Sequence, residues 1–377
     1  MSIKLNKTWA ERIQPQPMFD VLQRAQNQEQ HGEYVARMEI GDTPGFQNLE
    51  MHRLLKEYSE EPFRYSPSSG EISLKSAVLT TQWPEFKDLN MSITIAPANF
   101  LITAAMASVT TPGDVAFLPD PGFPTYLLAA NFLSLQVIYY NSIENLELSI
   151  RKTIASTNLV PKIVVINNPS NPSGLAVEGG SLENLVSYLE EIKVQIIIDE
   201  TYVNLVYEDI NPKIKSSLAI RIRSFSKEHC SPGLRIGYAI APQYQSKVMS
   251  DMVSLSISCA PKFIQLAVAD YLVSEKASSF TQNVRVKMKE RFRILQDLIP
   301  NKLFLVKPNS AFYALLRVNN DLEAFEFLMN RNVSTCPGSK FGKLSSNALR
   351  ISLAGDTENF LKDLQMLEKA ISQYTEL

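Results

Sequence analysis

The sequence predicts an α/β protein: a large domain with a mostly parallel sheet covered by helices on both faces, and a smaller α+β domain. Three observations predict it. From about residue 95, short apolar runs alternate with helix-like runs, the pattern of parallel strands joined by crossover helices. Beyond about residue 275 the order changes to a long charged helix followed by short strands. A chain of 377 residues is also too long for one small core, so one large and one smaller domain is the natural division. The expected division is residues 1–45 as an amino-terminal segment packing with the small domain, 46–275 as the large domain and 276–377 as the small domain.

The elements follow in order. Pro15-Gln16-Pro17 breaks the chain before a polar helix-like run, Phe19 to Glu33. Ile102 to Val109 reads as a helix, Thr111-Pro112-Gly113-Asp114 as a turn and Val115 to Leu118 as a strand. Pro121-Gly122 closes that strand, and a helix follows from Thr125. Val137 to Tyr140 and Ile163 to Ile166 are strands, the second ending in Asn167-Asn168-Pro169. Ser181 to Ile192 reads as an amphipathic helix with a serine cap, and Gln195 to Ile198 as a strand ending in Asp199. Strand-like runs Ser217 to Ile222 and Ile236 to Ala241 flank Lys227. A charged helix, Ser278 to Leu298, then precedes strands over Leu303 to Val306, Phe312 to Val318 and Leu349 to Ser352, and a closing helix.

Composition narrows the function. The chain is 45% apolar and 20% charged with a net charge of -2 and no basic block, which argues against nucleic acid as the main partner. Cys230, Cys259 and Cys336 are widely spaced without a CxxC, so neither a disulfide framework nor a zinc site is expected, and reduced thiols fit the cytoplasm. His31 and His52 show no ligand spacing, and no metal site is expected. The first residues, MSIKLNKTWAERIQ, lack an apolar leader core, and no run of about 20 apolar residues exists, so no membrane association is expected.

Lys227 is the most informative residue. It lies between two buried-looking strands, with Ser224 three residues before it and Arg235 eight after. A hydroxyl and a guanidinium beside a lysine suit an amine working on a phosphorylated carbonyl cofactor. Ligands of open parallel sheets bind beyond the carboxyl ends of the strands, where Asn171, Asp199 and Lys227 fall. Asp199 alone reads as a helix cap or solvated turn, but three isoleucines run directly into it. A carboxylate buried there needs a cationic or hydrogen-bonded partner. Asn171 also reads as part of a proline-punctuated loop. Arg350, between Leu349 and Ile351, points outward or pairs with a carboxylate ligand. His229 and Cys230 read as packing residues.

Asn171-Pro172-Ser173-Gly174, Asp199-Glu200-Thr201-Tyr202, Ser224-Phe225-Ser226-Lys227 and Arg235 occur in that order. This ordered set resembles the class I/II aminotransferase family of fold-type I pyridoxal-phosphate enzymes, from about Gly41 to the carboxyl terminus. The resemblance implies that Lys227 holds pyridoxal 5′-phosphate as a Schiff base and that Asp199 keeps the pyridine nitrogen protonated. It implies Asn171 and Tyr202 at the ring's 3-oxygen, and Ser224 and Arg235 at the phosphate. Phe123, in Pro121-Gly122-Phe123, falls where the family stacks an aromatic ring on the cofactor. Gly41, in Ile40-Gly41-Asp42-Thr43-Pro44, looks like the substrate-side glycine. Tyr65 resembles the tyrosine that reaches the neighbouring subunit's phosphate, which implies a homodimer. Arg350, after Pro337-Gly338-Ser339, matches the arginine that clamps the substrate α-carboxylate. Where the family has a small glycine turn opening a helix, this chain has Pro97-Ala98-Asn99-Phe100. Pro97 has no amide to give, which leaves Ala98 and Asn99 as backbone donors to the phosphate.

The implied activity is transfer of an amino group between an amino acid and a 2-oxo acid by a ping-pong mechanism, with Lys227 moving the proton. The same scaffold carries lyases and decarboxylases. A non-catalytic or regulatory relative is the alternative from another class; a transcription regulator would need a helix-turn-helix domain, and about 40 residues leave no room for one. Gly338 to Lys343 superficially resembles a nucleotide-binding loop, but the spacing is one residue short and Leu344 replaces the required hydroxyl.

Overall fold

A computed structural model describes residues 15–60, 62–84, 91–216 and 218–375. The stretch read for a leader and Ser217 lie outside the described residues. After a short strand β1 (Ala36–Arg37), seven strands form the large sheet: β2 (Met91–Ala96), β3 (Val115–Pro119), β4 (Gln136–Tyr140), β5 (Ile163–Asn167), β6 (Gln195–Asp199), β7 (Ile220–Ser224) and β8 (Gly237–Pro242). Their order is β2-β8-β7-β6-β5-β3-β4. β8 runs antiparallel to both its neighbours, and the other pairings are parallel. The central strands are apolar on both sides because helices cover both faces. Ile163, Val165 and Ile197 enter one core, while Val164, Ile166, Ile196 and Ile198 enter the other. That is the period-two alternation of a strand.

β7 departs from this pattern. Its apolar run extends two residues further than expected, to Ser224, and includes two buried arginines. Ile220 and Ile222 face the same core as Val165. Arg221 and Arg223 are instead held by Glu200, with Nη1–Oε1 at 2.6 Å and Nε–Oε2 at 3.3 Å. The Arg223 guanidinium also lies 4.1 Å over the Trp83 ring. Buried charges persist only when paired in this way.

A second sheet, of order β12-β13-β10-β9, is antiparallel throughout. It comprises β9 (Phe304–Val306), β10 (Tyr313–Arg317), β12 (Cys336–Pro337) and β13 (Ala348–Ser352). The two-residue strand β11 (Val333–Ser334) pairs in parallel with β1. Val21, Ala36 and Met38 share one core with Phe312, Leu349 and Leu367. The amino-terminal segment is therefore packed against the carboxyl-terminal part of the chain.

Some boundaries differ from the sequence reading. Ser181 does not cap its helix: it lies in the 3-10 turn Gly179–Leu182, and its hydroxyl donates to the Glu178 carbonyl at 2.7 Å. The α-helix begins after it, at Glu183, without a side-chain cap. The helix expected from Ile102 begins at Ala98, directly after Pro97, since a fixed φ suits a helix start. The long charged helix begins at Glu275 rather than Ser278.

Candidate active site

Strand register brings the site together. β5, β6 and β7 are parallel neighbours, and Asn167 pairs with Asp199 at their carboxyl ends. A second convergence lies at Gly237, which pairs with Ala96 on one side and Ser224 on the other. A Cβ on Gly237 would sit 2.6 Å from the Arg223 carbonyl oxygen, so glycine permits this close approach. Ala98 and Asn99 follow Ala96, and Arg235 precedes Gly237, so one row of the sheet gathers Ala98, Asn99, Ser224 and Arg235.

A cavity of about 480 Å³ opens over these strand ends. Its lining contains Gly41, Ala98, Asn99, Phe123, Asn171, Asp199, Tyr202, Ser224, Lys227, Arg235 and Arg350. Tyr65 is not part of that lining and stands 86% exposed.

Asp199 is buried, and its carboxylate accepts from the Tyr126 hydroxyl at 2.7 Å and from the Thr201 hydroxyl and amide at 2.6 and 3.0 Å. Burial nevertheless holds its pKa above the usual carboxylate value, against the lowering effect of these hydrogen bonds. The group therefore favours a cationic partner facing the cavity. Behind it, the Asn167 side chain donates to the Asp199 carbonyl at 3.1 Å and accepts from the Asn171 amide at 2.8 Å. Asn171 is thereby fixed to the neighbouring strand end.

Lys227 lies in a single helical turn, Phe225–Glu228, opened by the Ser224 hydroxyl, which accepts from the Ser226 amide at 3.1 Å. Its Nζ donates to the Gly41 carbonyl at 2.7 Å. Glu228 and His229 turn away into packing. Glu228 accepts from Asn204 at 2.5 Å, and the His229 ring packs edge-on against Tyr271. Burial pushes the Cys230 thiol up to about 11, which makes it a poor nucleophile.

Arg350 does not point outward. It is fully buried in β13, and its guanidinium donates to the Asn171 side-chain oxygen at 3.3 Å and to the Glu39 carbonyl. Tyr313 and Phe341 lie on its faces, with ring centroids at 4.4 and 4.6 Å from Cζ. Its Nε has no hydrogen-bond partner among the described residues. Arg235 is exposed, adopts a left-handed φ of 54° and donates to the Pro232 carbonyl at 2.8 Å.

Sequence reading missed several lining residues: Gln16 and Met18 from the amino-terminal segment, and Tyr126, Thr201, Ser226 and Tyr313. Tyr126 had a signal, since it lies three residues after Phe123 and such pairs share a helix face. Gln16, Met18 and Tyr313 arrive by long-range packing and had none. The loop resembling a nucleotide site is committed elsewhere. The Lys343 and Leu344 amides bind the Asp120 carboxylate, each at 3.1 Å, and the Ser339 amide binds Asp321 at 2.7 Å. Among the described residues no His, Cys, Asp or Glu cluster could hold a metal ion, and no helix is long and apolar enough to cross a membrane.

Comparison with known proteins places the chain in a family. The chain is 26% identical to a protein of Aquifex aeolicus named "Probable aspartate/prephenate aminotransferase", over 96% of this chain and 97% of that one. It is 27% identical to the "Probable N-acetyl-LL-diaminopimelate aminotransferase" of Bacillus subtilis, over 83% of each. In fold it resembles the aspartate aminotransferase of Thermus thermophilus, with a TM-score of 0.86 and 21% identity over 98% of this chain and 100% of that one. Residues 60–365 match the family described as Aminotransferase class I and II, whose members use pyridoxal phosphate. The chain belongs to this family and is an aminotransferase.

Proposed function

We propose that the cavity binds pyridoxal 5′-phosphate and an amino acid together, and that Lys227 is both the covalent anchor and the group that moves the substrate's Cα proton. The observation that carries this reading is the Asp199 carboxylate: buried, raised in pKa, and facing a cavity that also holds a lysine and a buried arginine. The residues fit the cofactor group by group. Asp199 would pair with a protonated ring nitrogen, and Asn171 and Tyr202 would bond the ring oxygen. Phe123 would stack on the ring, although it has no hydrogen bond to add. Ser224, Arg235 and the first amides of the helix Ala98–Ala107 would hold the phosphate. When bound, the cofactor supplies an electron sink that makes the substrate Cα–H acidic.

The chain's own residues do the rest. Arg350 would present to a substrate carboxylate a guanidinium whose Nε has no hydrogen-bond partner among the described residues. Its burial raises the strength and selectivity of that contact. Lys227 is tethered to Gly41 by one hydrogen bond, so its amine is held at the cavity while remaining free to exchange partners.

The proposal includes a homodimer. Tyr65 is 86% exposed, Phe63 two residues before it is 77% exposed, and Leu255, four residues before Cys259, is 87% exposed. Their segments are joined by the Ser66 amide donating to Cys259 Sγ at 3.3 Å. An apolar surface of this kind suits a second copy. It also includes cytoplasmic placement and the three-part division at residues 45 and 275.

The test is a titration of the purified protein with pyridoxal phosphate, followed by a single amino acid. A visible absorption band that an amino donor converts to the pyridoxamine-form spectrum, and that a 2-oxo acid restores, supports the reading. Consumption of the amino acid without that reversible conversion assigns a lyase or decarboxylase instead. A protein that develops no band with added cofactor overturns the reading.

A further inference from the structure

Tyr313 touches three groups to which the proposed function gives separate tasks. Its hydroxyl accepts a hydrogen bond from the Tyr202 hydroxyl at 3.3 Å. Its ring lies against the Arg350 guanidinium, with the centroid 4.4 Å from Cζ. Its hydroxyl also occupies the space where a Cβ on Gly41 would sit, and the Gly41 carbonyl is the acceptor for Lys227. Tyr313 is 2% exposed and lines the cavity.

The strand register explains how one side chain reaches so many partners. Leu315 is directly opposite Arg350 in the β10–β13 pairing, and Tyr313 is opposite Ser352. Tyr313 and Arg350 are therefore diagonal neighbours on one face, within reach of long side chains. From there Tyr313 meets the Tyr202 ring edge-on, with centroids 5.7 Å apart at 80°. Packing alone would be served by phenylalanine, as at the adjacent Phe312. A buried phenol hydroxyl needs a partner, and here that partner is the residue proposed to bond the ring oxygen.

We propose that Tyr313 is a positioning residue that aligns the ring-binding and carboxylate-binding halves of the site. Its hydroxyl aims Tyr202, and its ring fixes the plane of Arg350. A phenol has one hydrogen to give. When Tyr202 turns its hydrogen to a ligand oxygen, the Tyr313 hydroxyl can donate to Tyr202 in return, so Tyr202 stays held in both states. The inference rests on the roles proposed above for Tyr202 and Arg350.

Three variants of the pyridoxal-phosphate-loaded enzyme test it: Tyr313→Phe, Tyr202→Phe and their double. Tyr313→Phe keeps the ring and its volume, so its fold is preserved. The expected result is a roughly tenfold fall in kcat with KM for the amino acid within about twofold. The visible band of the bound cofactor moves in the same direction as in Tyr202→Phe, and the double variant is no worse than Tyr202→Phe alone. Tyr313→Leu, which removes the ring, raises KM for both the amino acid and the 2-oxo acid. A Tyr313→Phe enzyme with unchanged kcat and unchanged band, or a double variant whose losses multiply, overturns the inference. Either result with a normal cofactor band in the unmodified enzyme leaves the proposed function standing; absence of that band from the unmodified enzyme overturns both.

Discussion

Asp199 and Arg235 line the same cavity but are held in different ways. Asp199 is 5% exposed and ends a strand buried on both faces, and its carboxylate receives three hydrogen bonds from this chain. Arg235 is exposed, sits in a left-handed turn and donates to a carbonyl three residues before it. The difference extends to their neighbours. Asn171 and Arg350, which share the buried side, are bonded to each other at 3.3 Å. Asn99 and Tyr65, grouped with Arg235 by the proposed phosphate contact, are both exposed. Central strands impose order on whatever they carry, because every backbone group there must be paired. Turns and helix starts leave amides and side chains open to an anion or a second chain. On the roles proposed above, the ring side of the site is preorganised in one chain, while the anion side would be completed by what binds there.

Lys227→Ala should have the largest effect. Its side chain makes one hydrogen bond, to Gly41, so removal leaves the buried side intact. Turnover should vanish in an amino acid and 2-oxo acid assay while the apoprotein melts near the unmodified protein. Residual steady turnover would contradict the role given to Lys227. Asp199→Asn should have the next largest effect, roughly 10²-fold to 10³-fold in kcat/KM, the usual scale for one preorganised electrostatic contact. Stability should respond in the opposite sense. A carboxyl whose folded pKa is raised contributes stability that is full below its unfolded pKa and lost as pH rises through the folded pKa. Burial raises Asp199 in this way. At neutral pH the Asp199→Asn apoprotein should therefore be as stable as the unmodified one or more so. A calorimetric scan across pH that shows the variant losing stability chiefly above neutrality would refute this.

Arg350→Lys probes the other member of the preorganised side. A lysine cannot reproduce the fork that meets Asn171, Glu39 and a carboxylate at once. The expected loss in kcat/KM is roughly 30-fold or more, about 2 kcal/mol or more for a buried charge contact. It should appear mainly in KM, with the cofactor band unchanged. A variant that loses the band but binds amino acids normally would move Arg350 from the substrate to the cofactor.

The same contrast decides how much could be read in the sequence. Asp199 announces itself because it terminates an apolar run, whereas Lys227 lies between two such runs and Asn171 stands in a proline-punctuated loop, so these two stand out through the ordered motif set. Most of the parallel strands were legible because period and run length report packing, but β2 and the helices Leu49–Tyr58, Ile72–Gln82, Gln243–Ile257 and Lys262–Val273 were not read. The β7 arginines sit in a run that reads as strand, yet their acceptance depends on Glu200 and Trp83, which no local pattern reveals. Tyr313 lies in a run that reads as a strand, and only the β10–β13 register places it beside Arg350. Ser181 failed as a cap because a 3-10 turn used its hydroxyl first. Local signals name the residues that strands deliver; contacts between distant segments escape them.

Tyr65 gives the smallest expected effect and the most direct test of the anion side. Losing one hydrogen bond to a charged group costs about 1.5 kcal/mol, a factor of roughly ten. Tyr65→Phe should weaken pyridoxal phosphate binding to the apoprotein by that factor, measured by absorbance titration, without changing KM for the amino acid. Subunit mixing then asks which chain the hydroxyl serves. In a hybrid of Lys227→Ala and Tyr65→Phe subunits, an exchanged tyrosine gives the Lys227-bearing site an unmodified Tyr65 from its neighbour. That site should regain the tight binding and the turnover that neither parent shows under limiting cofactor. If Tyr65 instead serves its own chain, the hybrid contains no intact site and mixing restores nothing. The exposed position of Tyr65, outside the cavity lining of its own chain, favours the first outcome.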